Sequence, residues 1–214
     1  MEPTIYKPGI YKGAGIYKTG AEGGGGGDVT IVEIGGIKYP TKQIGSKIWF
    51  LENLALEWPG LNVVNGTGYN NNTPTAYKYN IGWCCKYGYF YNYYAVRDLI
   101  DNYSSLLDGW RVPLLEDFND LINTAGGLSV CQKKLCSKLW LTTDSDNSLD
   151  FNMCPGGFFA SGTLQNGSAE EGFQIDSGTS ANTRIFDINT NTASLGTVWG
   201  DWKWAFHMRL CKDA

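Results

Sequence analysis

Five consecutive glycines, Gly23 to Gly27, divide the 214-residue chain into two unequal parts. A glycine run has no side chains to pack and loses much conformational freedom when ordered, so it predicts a flexible linker. Apolar patterning typical of a globular core begins just after it, at Val29. We therefore expect an N-terminal segment over residues 1–27 and one domain over residues 28–214. That domain is long enough to bury a core without disulfides or metals.

The N-terminal segment contains the unit Ile-Tyr-Lys three times, starting at Ile5, Ile10 and Ile16. Each unit joins two residues that favour strands, and a proline or glycine follows. Such short units cannot bury their apolar side chains alone, so they favour packing against other copies of the chain, as in a homotrimer. An unstructured tail is the alternative that the sequence leaves open.

The composition excludes several classes of protein. Charged residues make up 18% of the chain, aromatic residues 14%, and the formal net charge is −4 with no basic cluster, so nucleic acid is not an expected partner. No apolar run is long enough to span a membrane. The N-terminus, MEPTIYKPGIYKG, has no apolar stretch of the kind found in secretory signals. We expect no membrane insertion.

The cysteines and acidic residues give no strong metal signature. None of the cysteine pairs has CxxC spacing and His207 is the single histidine, so a zinc site is not expected. The stretch TTDSDNSLD lacks the glycine and distal glutamate of an EF-hand, so a polar turn is favoured over a calcium site. We expect no cofactor and mostly buried free thiols, with one or two disulfides left open. The residues concerned are Cys84, Cys85, Cys131, Cys136, Cys154, Cys211, Asp144, Asp146, Asn147 and Asp150.

The hydrophobic patterns beyond the linker indicate strands, then helices, then strands. EIGGIKYPTKQIG has the glycine pair of a hairpin, YGYFYNYYAV reads as an aromatic strand that leads into a helix over Ala95–Leu107, and residues 62–80 read as a loop. A second helix is expected to begin near Pro113 and to end at Gly126-Gly127, and a short amphipathic piece covers residues 130–139.

This order of elements defines the expected fold class. Strands on both sides of a helical centre, without βαβ alternation, predict an α+β fold with two helices, an antiparallel sheet and long loops. The N- and C-terminal strands are expected to pair and so to close the domain.

Five segments together resemble a known bacterial family. YPTKQIGSKIWFLENL, YGYFYNYYAV, GWRVPLLEDFNDLINTAGG, FNMCPGGFF and AFHMRLCKD occur in the order seen in the Fibrobacter succinogenes major paralogous domains, which have a C-type lectin-like fold. The resemblance covers roughly residues 30–213. Each segment alone is weakly specific, whereas the ordered set is more so.

The resemblance extends to the variable proteins of diversity-generating retroelements, and it implies a function. Such proteins display a mutated C-terminal segment on a C-type lectin-like domain; many form trimers at phage tail tips and bind the host surface, and others are bacterial surface lipoproteins. The resemblance thus implies a receptor-binding or adhesion protein located on a virion tail or a bacterial surface. Its partner would be a host cell-surface protein or glycan. The Glu-Pro-Asn motif of calcium-dependent lectins is absent, so calcium-mediated sugar binding is not implied.

The C-terminal stretch TVWGDWKWAFHMRLCKD supplies the first candidate binding surface. A regular strand points alternate side chains to opposite faces, so it cannot bury all three indoles on one side. We expect a loop up to Lys203 and a strand after it, with Phe206 and Arg209 as framework. Exposed tryptophans often dominate binding energy. The residues expected to be displayed are Trp199, Asp201, Trp202, Lys203 and Trp204.

A second candidate surface lies in GFQIDSGTSANTR, which by resemblance aligns with the loop beside the terminal one. Its small polar side chains suit adaptable hydrogen bonding, although an ordinary solvated loop is the alternative. The candidates are Gln174, Asp176, Ser177, Thr179, Ser180, Asn182 and Thr183.

Enzymatic activity is not expected. The sequence carries no nucleophile elbow, phosphate-binding loop or dinucleotide fingerprint, and His207 lies in a strand among framework residues. The related fold class includes formylglycine-generating enzymes, but no cysteine pair is placed for that chemistry. Such an enzyme, and a purely structural head domain, are the alternatives to a binding protein.

Overall fold

A computed structural model describes residues 28–66, 72–79, 88–138, 144–167, 169–178, 184–189, 193–197 and 202–214. The helices in these ranges are α1 (Tyr93–Asn102), a 3₁₀ helix (Ser104–Leu107), α2 (Leu115–Thr124) and α3 (Leu128–Leu135). The strands are β1 (Thr30–Ile34), β2 (Ile37–Ile44), β3 (Lys47–Phe50), β4 (Asn62–Asn65), β5 (Thr75–Lys78), β6 (Phe90–Asn92), β7 (Phe158–Ala160), β8 (Thr163–Gln165), β9 (Glu170–Ile175), β10 (Arg184–Asn189), β11 (Ala193–Thr197), β12 (Ala205–Phe206) and β13 (Cys211–Asp213). The α+β class is thus confirmed within these ranges; two helices match those expected, and α3 overlaps the short amphipathic piece expected at 130–139.

The first sheet has the order β1-β2-β3-β13 and is antiparallel throughout. The hairpin expected at the glycine pair is confirmed, with Ile34 opposite Ile37 and both glycines at positive φ. The expected pairing of N- and C-terminal strands is also confirmed, because Cys211 in β13 lies opposite Trp49 in β3. β13 is therefore the edge strand of the first sheet next to β3.

The other two sheets include strands in a region that the sequence predicted to be a loop. Their orders are β4-β5-β6-β12-β7-β8 and β11-β10-β9. Residues 62–80, expected to form a loop, include β4 and β5, which pair in parallel, so the sheet is not wholly antiparallel. The buried Asn92 side chain holds this region, since its Oδ1 accepts a hydrogen bond from Thr75 N at 3.0 Å and its Nδ2 donates to Thr73 O at 2.9 Å. Composition does not reveal such a contact between distant residues.

Local capping accounts for the helix boundaries. Asn92 Oδ1 also accepts from Ala95 N at 2.9 Å, so α1 begins at Tyr93, two residues before the expected start. It ends at Asn102, and the remaining expected helical residues form the 3₁₀ helix. Gly126 and Gly127, at φ 98° and 97°, end α2 as expected.

Aromatic side chains dominate the interior. Trp49 packs against Phe118 at 5.2 Å and Phe151 at 5.6 Å between ring centroids, and Phe50 stacks on Tyr39 at 4.7 Å. Trp49 and Phe50 are neighbours in β3, so these contacts lie on opposite faces of the first sheet and hold β3 between two core clusters. No helix within the described ranges is long and apolar enough to cross a membrane.

The described cysteines agree with the expectation of buried free thiols. Cys131, Cys136 and Cys211 are buried free thiols, and Cys154 is buried as well. Burial raises the pKa of the Cys131, Cys136 and Cys211 thiols, which keeps them protonated and poorly nucleophilic. Cys84 and Cys85 lie outside the described residues.

Candidate binding surface

Trp202 is half-buried at the start of the C-terminal stretch. Its backbone oxygen accepts a hydrogen bond from Tyr93 N at 2.8 Å, which ties this stretch to the first turn of α1. Its indole meets the rings of Tyr93 and Tyr94 edge-on, at centroid distances of 4.9 and 5.4 Å. Tyr94 is itself half-buried, so the two rings leave an aromatic area partly open to solvent.

Trp204 is also half-buried, but it packs on a different element. Its ring lies 5.4 Å from that of Phe158 in β7, and Phe158 stacks on Phe206 at 5.2 Å. Lys203, between the two indoles, is half-buried as well. The strand expected from Trp204 begins one residue later, at Ala205, and Phe206 and Arg209 are buried framework residues as expected.

Asp176 and Ser177 follow β9 and are half-buried. The carboxylate of Asp176 accepts hydrogen bonds from Arg97 Nη1 and Gly178 N, both at 2.9 Å. Ser177 donates to the Tyr93 hydroxyl through its backbone N at 3.0 Å and its Oγ at 2.9 Å. This part of the loop is therefore fixed by side chains of α1.

Tyr93 joins the two candidate surfaces. Its ring contacts Trp202, while its hydroxyl accepts from Ser177 and donates to Gly178 O at 2.9 Å. The side chain is fully buried. Its hydroxyl makes its polar contacts with Ser177 and Gly178, in the turn that lies beside Trp202. The structure thus brings the Asp176–Gly178 turn and Trp202 together across one tyrosine.

The prediction that Gln174 is displayed to a ligand is wrong. Its exposed fraction is 0%, and its Nε2 donates a hydrogen bond to Tyr91 O at 2.8 Å. It lies within β9, whose backbone also bonds to the C-terminal stretch through Gln174 N and His207 O at 2.9 Å. A polar residue at this strand position therefore serves packing between sheets and is not available to a ligand.

The remaining predicted site residues lie outside the described residues. They are Trp199, Asp201, Thr179, Ser180, Asn182 and Thr183. In the sequence they are next to residues described above: residues 198–201 precede Trp202, and residues 179–183 follow Gly178.

Beneath the surface, His207 and Glu171 form a buried pair. His207 Nδ1 lies 2.8 Å from Glu171 Oε1, and the imidazole stacks on Phe90 at 3.8 Å. Burial raises the pKa of the Glu171 carboxyl, which the neighbouring His207 opposes. Gly156 packs so closely on both side chains that a methyl group there would overlap them. The expected structural role of His207 fits this geometry.

The aspartate-rich turn is held by contacts of its own. Asp150 pairs with Lys42 at 2.6 Å, and Asp146 Oδ1 accepts from Ser148 N at 2.9 Å. In the part of the chain that the structure describes, no group of three or more His, Cys, Asp or Glu side chains is placed to hold a metal ion.

Sequence reasoning missed two residues, Tyr93 and Glu171. From the sequence, the aromatic stretch YGYFYNYYAV is interpreted as a strand followed by a helix. That interpretation assigns no role to the hydroxyl of any particular tyrosine. The available signal was Tyr93 directly after a capping asparagine, because a buried tyrosine usually needs a hydrogen-bond partner for its hydroxyl. Glu171 carried no local signal, since its partner His207 is 36 residues away.

We expect the substitution Tyr93→Phe to loosen the Asp176–Gly178 turn while keeping the ring contact with Trp202. The loss of the hydroxyl leaves Ser177 N without its partner, at a cost of about 1–3 kcal/mol. Hydrogen exchange at the Ser177 amide should therefore be about 10-fold faster or more. The matched control is Tyr94→Phe, which should leave that amide unchanged. Equal exchange rates of the Ser177 amide in Tyr93→Phe and in the parent protein would contradict the claim that the Tyr93 hydroxyl holds this turn.

The arrangement combines partly exposed aromatic rings with polar groups on a buried framework, which suits contact with a ligand. No family model matches this chain, and neither a curated protein nor a solved structure shows a significant match to it.

Proposed function

We propose that this protein is a ligand-binding domain for adhesion or receptor recognition. It holds a variable C-terminal surface on a C-type lectin-like framework, in the manner of the phage tail-tip proteins of diversity-generating retroelements. Its ligand is a host cell-surface protein or glycan. The mechanism is recognition alone, with no bond made or broken.

The observation that carries the proposal is the meeting of the two candidate surfaces at Tyr93. Trp202 supplies a large rigid ring with few rotatable bonds, and the turn at Ser177 supplies small polar groups. Aromatic anchors beside adaptable hydrogen-bonding groups are typical of binding surfaces that recognise varied ligands.

The rigidity of the support favours binding as well. The Tyr93 N to Trp202 O hydrogen bond and the pairing of Ala205 with Asn92 in β6 and Phe159 in β7 fix the backbone next to the surface. Less freedom is then lost when a ligand binds, so more of the contact energy appears as affinity.

The surroundings of the titratable groups favour binding over catalysis. His207 and Glu171 are 1% and 0% exposed, so neither side chain is available to a substrate. The described thiols are buried, and for three of them burial raises the pKa. This supports a surface that recognises its ligand without chemistry.

The resemblance provides the link to a C-type lectin-like framework and a phage tail. The four-stranded sheet is compatible with it, because this sheet contains both β1 and β13 while the candidate surface lies elsewhere. The trimer, the host ligand and the virion location rest on the resemblance and on the N-terminal repeats.

The test is a binding assay with the purified full chain on a panel of intact bacterial cells and a glycan array. We expect saturable binding to a subset of them and a decrease of about 5-fold in affinity for Trp204→Ala, because that ring is partly covered by Phe158. The control is Leu106→Ala, at an exposed leucine beyond the far end of α1. Absence of binding across both panels, or equal losses in the two variants, would contradict the proposal.

A further inference from the structure

Strand β1 is the edge strand of a sheet and carries an exposed isoleucine, Ile31. It stands at the end of the β1-β2-β3-β13 order and pairs only with β2 within the described ranges. Ile31 in this strand is 60% exposed, more than any other large hydrophobic side chain in the described ranges. Open edges that carry apolar side chains promote association with another strand unless they are covered or charged.

The two faces of β1 differ in character. Ile31 and Glu33 share one face and are both exposed. Val32 is half-buried on the other face and packs on the core cluster that contains Tyr39 and Phe50. A strand added beside β1 therefore meets, in succession, an aliphatic side chain, a β-branched side chain at the core and a carboxylate.

The N-terminal units match that succession in one direction. In parallel alignment, Ile-Tyr-Lys places isoleucine beside Ile31, tyrosine beside Val32 and lysine beside Glu33. Aliphatic, aromatic with β-branched, and opposite-charge neighbours are the favourable pairs between strands. In antiparallel alignment about Val32, lysine lies beside Ile31 and isoleucine beside Glu33, so both outer pairs are mismatched.

Parallel alignment also indicates which chain supplies the strand. Lys18, the end of the nearest unit, is separated from Ile31 by about a dozen residues, most of them small or glycine. Parallel strands of one chain require a crossover of at least that length, usually a packed helix, and a glycine-rich run supplies none. A segment passed from each copy to the next makes a head-to-tail contact, and such contacts close into a ring when the rotation between copies permits it.

We propose that the Ile-Tyr-Lys segment of a neighbouring copy adds to β1 as a parallel strand, so that each copy donates one segment and accepts one. The contact joins copies of this chain into a closed oligomer and covers the exposed edge. It does not depend on the proposed ligand surface, which lies at Tyr93 and Trp202.

The first test measures the oligomeric state of the full chain by light scattering. The parent protein should be oligomeric, and Ile31→Lys should be monomeric at the same concentration, because a lysine there opposes the incoming isoleucine. The control Leu106→Lys, which also places a lysine at an exposed leucine, should stay oligomeric. Urea unfolding confirms that both variants are folded. A monomeric parent protein, or an Ile31→Lys variant that stays oligomeric, would overturn the proposal.

The second test identifies the donor chain and its direction. Two preparations, one with Tyr11→Cys and one with Val32→Cys, are mixed, oxidised and analysed for cross-linked peptides. We expect a disulfide between the two chains, and none when Lys12→Cys, which points to the other face, replaces Tyr11→Cys. A cross-link found only in a single chain that carries both substitutions would show that the segment covers its own edge and would reject the exchange. The equivalent pairs with Tyr6 and Tyr17 test the other two units.

Discussion

Replacement of Arg209 by methionine is expected to lower the free energy of unfolding by about 3–5 kcal/mol, the sum of two or three lost hydrogen bonds at about 1–3 kcal/mol each. Arg209 is 3% exposed, and its Nε donates to Asn53 Oδ1 at 2.9 Å. Its two terminal nitrogens donate to the backbone oxygens of Phe151 and Asn152. Its guanidinium also lies over the rings of Phe151 and Phe173, at 4.5 and 4.9 Å from their centroids. Methionine fills part of the volume but donates no hydrogen bond to the two buried acceptors, Asn53 Oδ1 and Phe151 O, or to the part-buried Asn152 O.

The comparison variant is Lys212→Met, three residues along the same stretch. Lys212 is half-buried and lies over the Trp110 ring at 4.7 Å, so its loss should cost less than about 1 kcal/mol. Urea unfolding of both variants and of the parent protein measures how much each substitution lowers the free energy of unfolding. Similar costs for Arg209→Met and Lys212→Met would show that the buried arginine contributes no more than a surface cation.

Arg209 lies in the connection between two sheets. The chain leaves β12 in the six-stranded sheet and enters β13 in the four-stranded sheet through residues 207–210. Trp202 and Trp204 lie just before β12, so the contacts of Arg209 hold the segment that follows the two indoles.

Elements specified by neighbouring residues were predictable from the sequence. The hairpin at Gly35-Gly36, the end of α2 at Gly126-Gly127 and the strand that begins after Trp204 depend on local turn, cap and alternation signals. These signals act over a few residues, so the sequence displays them directly.

Contacts between distant residues were not predictable in the same way. Gln174 looks like a loop residue by composition, yet strand β9 places it against Tyr91 O, 83 residues away. The role of Tyr93 appears only when α1, the turn after β9 and the C-terminal stretch come together. A single sequence shows which residues are polar or aromatic but not which of them meet.

The largest effect on binding is expected for Trp202→Ala. Its ring contacts both Tyr93 and Tyr94 and is the aromatic group next to the turn at Ser177. Truncation of a central aromatic anchor usually costs about 2 kcal/mol or more, which corresponds to a roughly 30-fold lower affinity. The measurement is the dissociation constant for whichever cell or glycan of the panel the parent protein binds.

Because Trp202 is half-buried, its truncation also lowers stability, by about 2 kcal/mol. Urea unfolding measures that loss separately, and affinities are compared only under conditions in which every variant is folded. Trp202→Phe retains an aromatic ring against Tyr93 and Tyr94, so it should recover most of the affinity, to within about 5-fold of the parent protein. Binding by Trp202→Ala that stays within about 3-fold of the parent would exclude this ring as the anchor, since a 3-fold change is below the 1 kcal/mol expected of even a modest contact residue.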